Sequence, residues 1–357
     1  MKIGAFITHK FAENYADCQD RFGVNEDTKS IAVSDGMGST WQQKIWAQIL
    51  VDAFTESRDW YPNKNTIVPL CAIWRQKVVA FIQNMKDANV PEHRIYRNER
   101  SLIEGRSAGA TFVGIRFNGN KWNGSVLGDS CLIEWNGKEA KFHTSQDVEA
   151  FDSYPDYFDS DASKEGKGMP KDINGVLPVG EFLFLVSDPF SEFLLQHSKT
   201  GDIAQYIQQL LALSSHDDFE ALVDDWRKEG MHNDDTTLVI VENDDSNDFS
   251  SVVLDDLELL IKEEKLNEEK AKSTELAALP IVEEKALVDV EEKTDIITIQ
   301  DLSPVEEQLF LVDFLSEYRN ALTKKHPRIG EYKFKWTQKA IIEAVKVIYK
   351  KYSIYNK

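Results

Sequence analysis

Cysteine is scarce in this chain: three residues in 357, Cys18, Cys71 and Cys131. They are odd in number, far apart and without metal-type spacing. That excludes a disulfide framework or a thiolate cage and suits a reducing, cytoplasmic setting. Long apolar runs are lacking too. No segment approaches the ~20 apolar residues that a bilayer span requires, and the apolar part of the opening MKIGAFITHKF is too short for a signal peptide. No membrane partner is expected. Positive charge is also in deficit, with 41 Lys and Arg against 61 Asp and Glu, a net −20. An acidic body repels phosphate backbones, which removes nucleic acid as a main partner and suits a protein that collects cations. Paired histidines and cysteines are absent, so any such cation is not expected to sit in a nitrogen or sulfur cage.

What the chain does contain is enough apolar and aromatic residue for a core, 42% and 11%, over a length that suggests about two domains. Up to residue 242, runs rich in Val, Ile, Phe and Thr predict strands over 2–8, 30–34, 110–117, 123–134, 182–187 and 236–242. Helical spacing of apolar residues predicts helices over 41–58, 68–85, 203–213 and 218–228. The helices come in pairs between groups of strands. That pattern disfavours a doubly wound parallel sheet and favours antiparallel sheets with helices packed outside them, an α+β class. Residues 243–302 read as an acidic linker, largely disordered, since residues 241–302 carry 19 Asp and Glu against 6 Lys and Arg; within it, 253–260 and 296–299 are the apolar pieces able to order. From 303 order is expected again. Ser303-Pro304-Val305-Glu306 fits a capping box with proline at the first helical position. Val305, Leu309, Val312, Leu315, Tyr318 and Leu322 follow at helical spacing, and a second amphipathic helix covers 337–352. This basic helical segment, 303–357, reads either as a hairpin docking on the body or as a module binding a protein partner.

Acids cluster at the strand edges of the first 242 residues. IAVSDGMGST delivers Asp35 from an apolar strand into a turn with Gly36 and Gly38. CQDRFGV holds Asp20, SVLGDSCLIEW holds Asp129, EFLFLVSDPFSEF holds Asp188 and Glu192, and HNDDTTLVIVE holds Asp234 and Asp235. If a fold brings such ends together, the charges repel by about 4 kcal/mol for a pair ~4 Å apart at an effective dielectric of 20. Cations between them or raised pKa values must then compensate. Hard divalent ions such as Mg²⁺ and Mn²⁺ prefer oxygen ligands of this kind, and two of them held ~3.5–4 Å apart can activate a water for in-line attack on phosphorus.

The ordered set CQDRFGV, AVSDGMGS, SAGATFVGIRF, VLGDSCLIEW, LVSDPFSEF and NDDTTLVIV resembles the protein phosphatase 2C family of metal-dependent serine/threonine phosphatases, above all its bacterial branch, across about residues 1–242. The resemblance implies a four-layer αββα sandwich, two antiparallel sheets flanked by helix pairs. It further implies two Mn²⁺ or Mg²⁺ ions and a hydroxide between them as nucleophile. Asp35 would lie between the ions, the Gly36 carbonyl would bind one, and Asp188 and Asp234 would complete the other's ligands. Asp20 would support the site, with Gln19 where the family has glutamate or glutamine. Asp129, Asp188 and Glu192 match a weaker third metal position, Asp235 takes the place of a usual asparagine, and Gly109 and Thr111 match a structural step. The implied partners are a phosphoprotein substrate and its cognate kinase, in cytoplasmic signalling.

Three positions depart from the family pattern. Tyr15 stands where the family carries an arginine that grips the substrate phosphate; Lys10, His9, Arg21 and Arg106 are the residues able to replace it. Pro189 follows Asp188 in place of glycine, and Ser39 follows Gly38. His232, two residues before Asp234, is a candidate acid for the leaving group. The expected activity is hydrolysis of phosphoserine and phosphothreonine on proteins. The competing expectation is a pseudophosphatase or scaffold that binds a phosphoprotein without efficient turnover.

Overall fold

The computed structural model describes residues 1–145, 155–164, 166–246 and 248–278. The chain divides into two units, residues 1–279 and 280–357. The expected C-terminal helices, 303–357, and the apolar piece at 296–299 lie outside the described residues.

The elements are β1 (Lys2–Thr8), a 3₁₀ turn (Tyr15–Asp17), β2 (Arg21–Asn25), β3 (Ser30–Ser34), α1 (Gln43–Glu56), α2 (Lys64–Asp87) and α3 (Glu92–Ile103). After these come β4 (Gly109–Ala110), β5 (Phe112–Asn118), β6 (Lys121–Leu127), β7 (Cys131–Trp135), β8 (Ala140–His143), β9 (Phe158–Asp159), β10 (Lys171–Val176) and β11 (Phe182–Val186). The described chain closes with α4 (Asp188–Thr200), α5 (Ile203–Leu211), α6 (His216–Glu229), β12 (Thr236–Glu242), β13 (Ser250–Leu254) and α7 (Leu257–Ala278).

Two large sheets form, ordered β13-β1-β12-β11-β7-β8 and β10-β6-β5-β3-β2, beside a two-stranded β4-β9 ribbon. Side chains alternate between the two faces of each strand, which explains why the central strands read as unbroken apolar runs. In β11, Leu183 and Leu185 enter a core with Ile31, Val33, Val113, Ile115, Val239 and Val241 from both sheets. Phe184 and Val186 turn the other way, against Phe190, Phe193, Leu194, Ile207, Phe219 and Trp226 of α4, α5 and α6. On the far side, Ala32 and Phe112 pack against Trp46, Leu50 and Phe54 of α1 and Leu70, Trp74 and Val78 of α2. Three apolar layers therefore separate four structural layers, the αββα sandwich that the sequence led us to expect.

Both outer layers carry a third helix beyond the expected pair. α4 begins at Asp188, with Pro189 in its first turn, where the missing N–H is one that a helix leaves unbonded anyway. α3 packs on α2 and buries only Ser101. The sheets are antiparallel with one exception: β13 runs parallel to β1. Within the stretch 243–302, β13 and α7 are ordered, including most of the apolar piece 253–260 named as able to order. The acidic composition hides an edge strand that uses backbone pairing rather than side-chain burial.

Register sets up the site. Thr8 pairs with Thr236, and Val186 pairs with both Leu238 and Cys131. The segments that follow β1 and β11 and precede β7 and β12 consequently emerge at one end of the six-stranded sheet. In the other sheet Arg21 pairs with Ser34, which places Asp20 beside Asp35.

Candidate metal centre

Each acid is held by a local device. Asp35 leaves β3 with its backbone N–H on Thr111 Oγ1 at 3.2 Å, while Thr111 N–H donates to the Asp35 carbonyl at 2.9 Å and Ser34 Oγ donates to the Thr111 carbonyl at 2.6 Å. Thr111 is thus a positioning residue for Asp35. At Gly36 a Cβ would stand 3.0 Å from the Gln19 carbonyl and from Gln43 Cγ, so only glycine lets the backbone pass there without displacement. Asp129 sits in the turn between β6 and β7, which Gly128 opens with φ of 96° in the left-handed region. Ser191 Oγ ties that turn to α4 through the Asp129 carbonyl, at 2.8 Å. Asp20 is fully buried; its Oδ2 accepts from Thr237 Oγ1 at 2.8 Å. Asp235, 2% exposed, staples two backbone segments, with Oδ1 accepting from Lys10 N–H at 2.9 Å and Oδ2 from Gln19 N–H at 2.7 Å.

The acids act on one another. Burial, then Asp129, pushes Asp35 up to about 8, although a hydrogen bond with the Asp20 carboxyl opposes the rise. Burial, against hydrogen bonds from its own turn and with the Glu192 charge added, pushes Asp129 up to about 7. Burial also raises Asp188 well above the carboxylate range, with Asp35, Asp129, Asp20 and Asp234 as the next causes. Asp20 rises for burial first and then for Asp35 and Asp235. Burial comes first in every case and the neighbouring acids after it, so these carboxyls lie close enough around one space to feel one another's charge. Burial raises Glu192 too, against the pull of His232.

Two oxygens decide what that space accepts. Asp20 Oδ1 and Asp129 Oδ1 are buried with no hydrogen-bond partner, and a buried acceptor left unpaired costs about 1–3 kcal/mol. An all-oxygen, excess-negative donor set with unpaired buried oxygens fits hard divalent cations. Among the described residues, no three His, Cys, Asp or Glu side chains stand as a group able to hold a metal ion, so the acids lie near one another without coordination geometry.

Of the cations proposed to grip phosphate, Lys10 stands at the acids: its Nζ lies 3.2 Å from Asp234 Oδ1 and 3.8 Å from Glu13 Oε2. Burial lowers its pKa, but Asp234 and Asp235 outweigh that and raise it. His9 is beside it, with Nδ1 on the Lys10 carbonyl at 2.9 Å. Arg21 and Arg106 do not join them. Arg21 turns its guanidinium onto the backbone carbonyls of Cys18 and Asp20, since a buried guanidinium must spend its donors locally. Arg106 is exposed and pairs with Glu104 at 3.4 Å. His232 is exposed. A cleft of about 520 Å³, lined in part by Glu13, Asp17, Gln19, Trp41, Lys44 and Phe81, opens beside the acids at Gln19.

The sequence reading did not single out Thr111 as the support of Asp35, nor Asp235 as a backbone staple, nor Thr237 and Arg227. Arg227 donates to the carbonyls of His9 at 3.1 Å and Asp234 at 2.8 Å. The two adjacent aspartates of HNDD were the available signal for Asp235; nothing in the sequence marks Arg227.

No curated protein matches the chain. Solved structures similar to it include a bacterial serine phosphatase at 13% identity, covering 70% of this chain and 99% of that one with a TM-score of 0.44. The catalytic domain of the serine threonine protein phosphatase PstP, in complex with two manganese ions, shares 17% identity, covering 67% of this chain and 96% of that one with a TM-score of 0.38. PppA of Pseudomonas aeruginosa, a regulatory component of the T6SS, shares 15% identity over the same coverages with a TM-score of 0.45. A family model described as protein phosphatase 2C matches residues 11–226. The chain belongs to the protein phosphatase 2C family.

Proposed function

We propose that this chain is a metal-dependent phosphatase that hydrolyses phosphoserine and phosphothreonine on proteins with two Mn²⁺ or Mg²⁺ ions. The observation that carries the reading is the pair of buried aspartates with unpaired oxygens, Asp20 and Asp129, beside half-buried Asp35 and Asp188, whose charges raise one another's pKa. Asp35, the Gly36 carbonyl, Asp188 and Asp234 would hold the two ions, Asp20 would orient them, and Asp129 with Asp188 and Glu192 would hold a weaker third. When bound, such a pair supplies Lewis acidity toward a phosphoryl oxygen and an activated water. Lys10 would offer its ammonium to the substrate phosphate, and the backbone staples on Asp235 keep it at the rim. His232, exposed two residues before Asp234, would give a proton to the leaving oxygen. A phosphoprotein substrate implies a kinase that makes it, and among the described residues no helix is long and apolar enough to cross a membrane; a cytoplasmic signalling role fits both. The segment 303–357 would serve to bind a protein partner.

The second reading, recognition without turnover, is favoured by Tyr15. Its hydroxyl is committed to Glu220 Oε1 at 2.6 Å and His216 Nε2 at 2.8 Å and cannot replace a bidentate arginine. Hydrolysis of p-nitrophenyl phosphate with Mn²⁺ decides between them. Turnover by the wild type and its loss by at least about a hundredfold in Asp188→Asn, with the fold retained, is expected; no wild-type turnover at high protein concentration selects the second reading.

A further inference from the structure

A second polar cluster lies behind Lys10, and it is built from the far end of the described chain. Glu264 of α7 accepts a hydrogen bond from Tyr15 N–H at 3.0 Å and lies 3.6 Å from His9 Nε2. Asp255, between β13 and α7, accepts from Ile7 N–H at 2.8 Å and meets His216 Nδ1 at 2.8 Å, while its own N–H donates to the Ala5 carbonyl at 3.0 Å. Both acids lie beyond the residues that the family model matches.

Each contact closes a gap in the frame that carries Lys10. The 3₁₀ turn at Tyr15–Asp17 receives no side-chain cap from Asn14, so its first N–H is an unpaired donor of the kind helix starts leave; Glu264 fills that role. β13 pairs with β1 only as far as Ala5, and Asp255 takes the next outward N–H, that of Ile7. Tyr15 and His9 meet edge to face, with ring centroids 4.6 Å apart, and His9 in turn holds the Lys10 carbonyl.

We propose that β13 and α7 form a strap in which Glu264 and Asp255 position the Lys10 segment for the substrate phosphate. The task of Lys10 rests on the phosphatase reading above, whereas the strap's hold on residues 9–18 does not. Glu264 is a positioning residue: it reaches substrate only through Tyr15, His9 and Lys10.

The test compares the full chain with Glu264→Ala, Glu264→Gln and Lys262→Ala, the last an exposed position on the same helix. Amide hydrogen exchange over residues 9–18 and the KM and kcat for p-nitrophenyl phosphate with Mn²⁺ are measured. Glu264→Ala should speed exchange and raise KM, each by about tenfold, the scale of one hydrogen bond to a charged group, with kcat within twofold. Glu264→Gln, which keeps an acceptor, should recover part of both, and Lys262→Ala should change neither. Unchanged exchange in Glu264→Ala, or faster exchange with unchanged KM, overturns the proposal, as does an equal effect from Lys262→Ala. A wild type without turnover sinks the phosphatase reading separately, and exchange then decides the strap on its own.

Discussion

Replacing Asp35 by asparagine should make the metal-free protein more stable while removing its response to metal. In the folded chain Asp35 titrates at about 8, against 3.8 in an open one. Folding thus takes up a proton, and stability falls as pH rises from about 4 through 8. At pH 7 and about 1.4 kcal/mol for each pH unit above 3.8, the ceiling on that destabilisation is about 4 kcal/mol. Asp20, Asp129 and Asp188 titrate together with Asp35 and share the cost of that proton uptake, which leaves about 2 kcal/mol for a single neutral substitution. For a unit of this size that corresponds to a rise in Tm of about 4–8 °C. Thermal melts in chelator at pH 7 and pH 5 should show Asp35→Asn above the wild type at pH 7 and close to it at pH 5. With millimolar Mn²⁺ the order should reverse, because the wild type gains stability from an ion that the variant binds poorly. A variant less stable than the wild type in chelator at pH 7, with Mn²⁺ stabilising both alike, would refute the claim that these acids oppose one another around a cation site.

Lys10→Ala should raise KM for p-nitrophenyl phosphate by about tenfold or more while Mn²⁺ affinity changes little or improves, since the ammonium leaves Asp234; unchanged KM would remove Lys10 from substrate binding. His216 gives a pH signature of its own. Burial works against its charged form, but hydrogen bonds to Asp255 and Glu220 prevail and raise it to about 9, and the same contact lowers Glu220 to about 2. Counted once, that stabilisation is fully present below about pH 6.5 and is lost as pH rises through about 9. Solvent around a half-buried group leaves it about 1–2 kcal/mol. Urea unfolding at pH 6 and pH 9.5 should therefore show the wild type losing more stability than His216→Gln, and parallel losses would contradict the assignment.

Much of the architecture is legible in the sequence because the central strands are buried on both faces. The expected 2–8, 30–34 and 236–242 coincide with Lys2–Thr8, Ser30–Ser34 and Thr236–Glu242. Where apolar burial is not the driving force, legibility fails. The stretch 123–134 reads as one strand, yet the left-handed turn at Gly128 divides it into β6 and β7 and aims Asp129 at the centre. α4 is hidden by a proline that reads as a turn and in fact sits in the helix's first turn. α3 is hidden because its few apolar residues are spread over the surface, Tyr96 and Ile103 being exposed, and most of α7 by acidic composition. The acids at strand ends were readable because they interrupt apolar runs. Their supports, Thr111, Thr237 and Arg227, were not, since hydrogen bonds across 76 to 218 residues of chain, as from Asp35 to Thr111, from Thr237 to Asp20 and from Arg227 to His9, leave no local pattern.

Calorimetric titration of the full chain with Mn²⁺ at pH 7.5, beside Asp35→Asn, reads the cation site without reference to any substrate. The account predicts uptake of about two ions per wild-type chain with release of protons from the raised carboxyls, and strongly weakened uptake by the variant. Uptake of no ion by the wild type, or the same isotherm from both proteins, would contradict it.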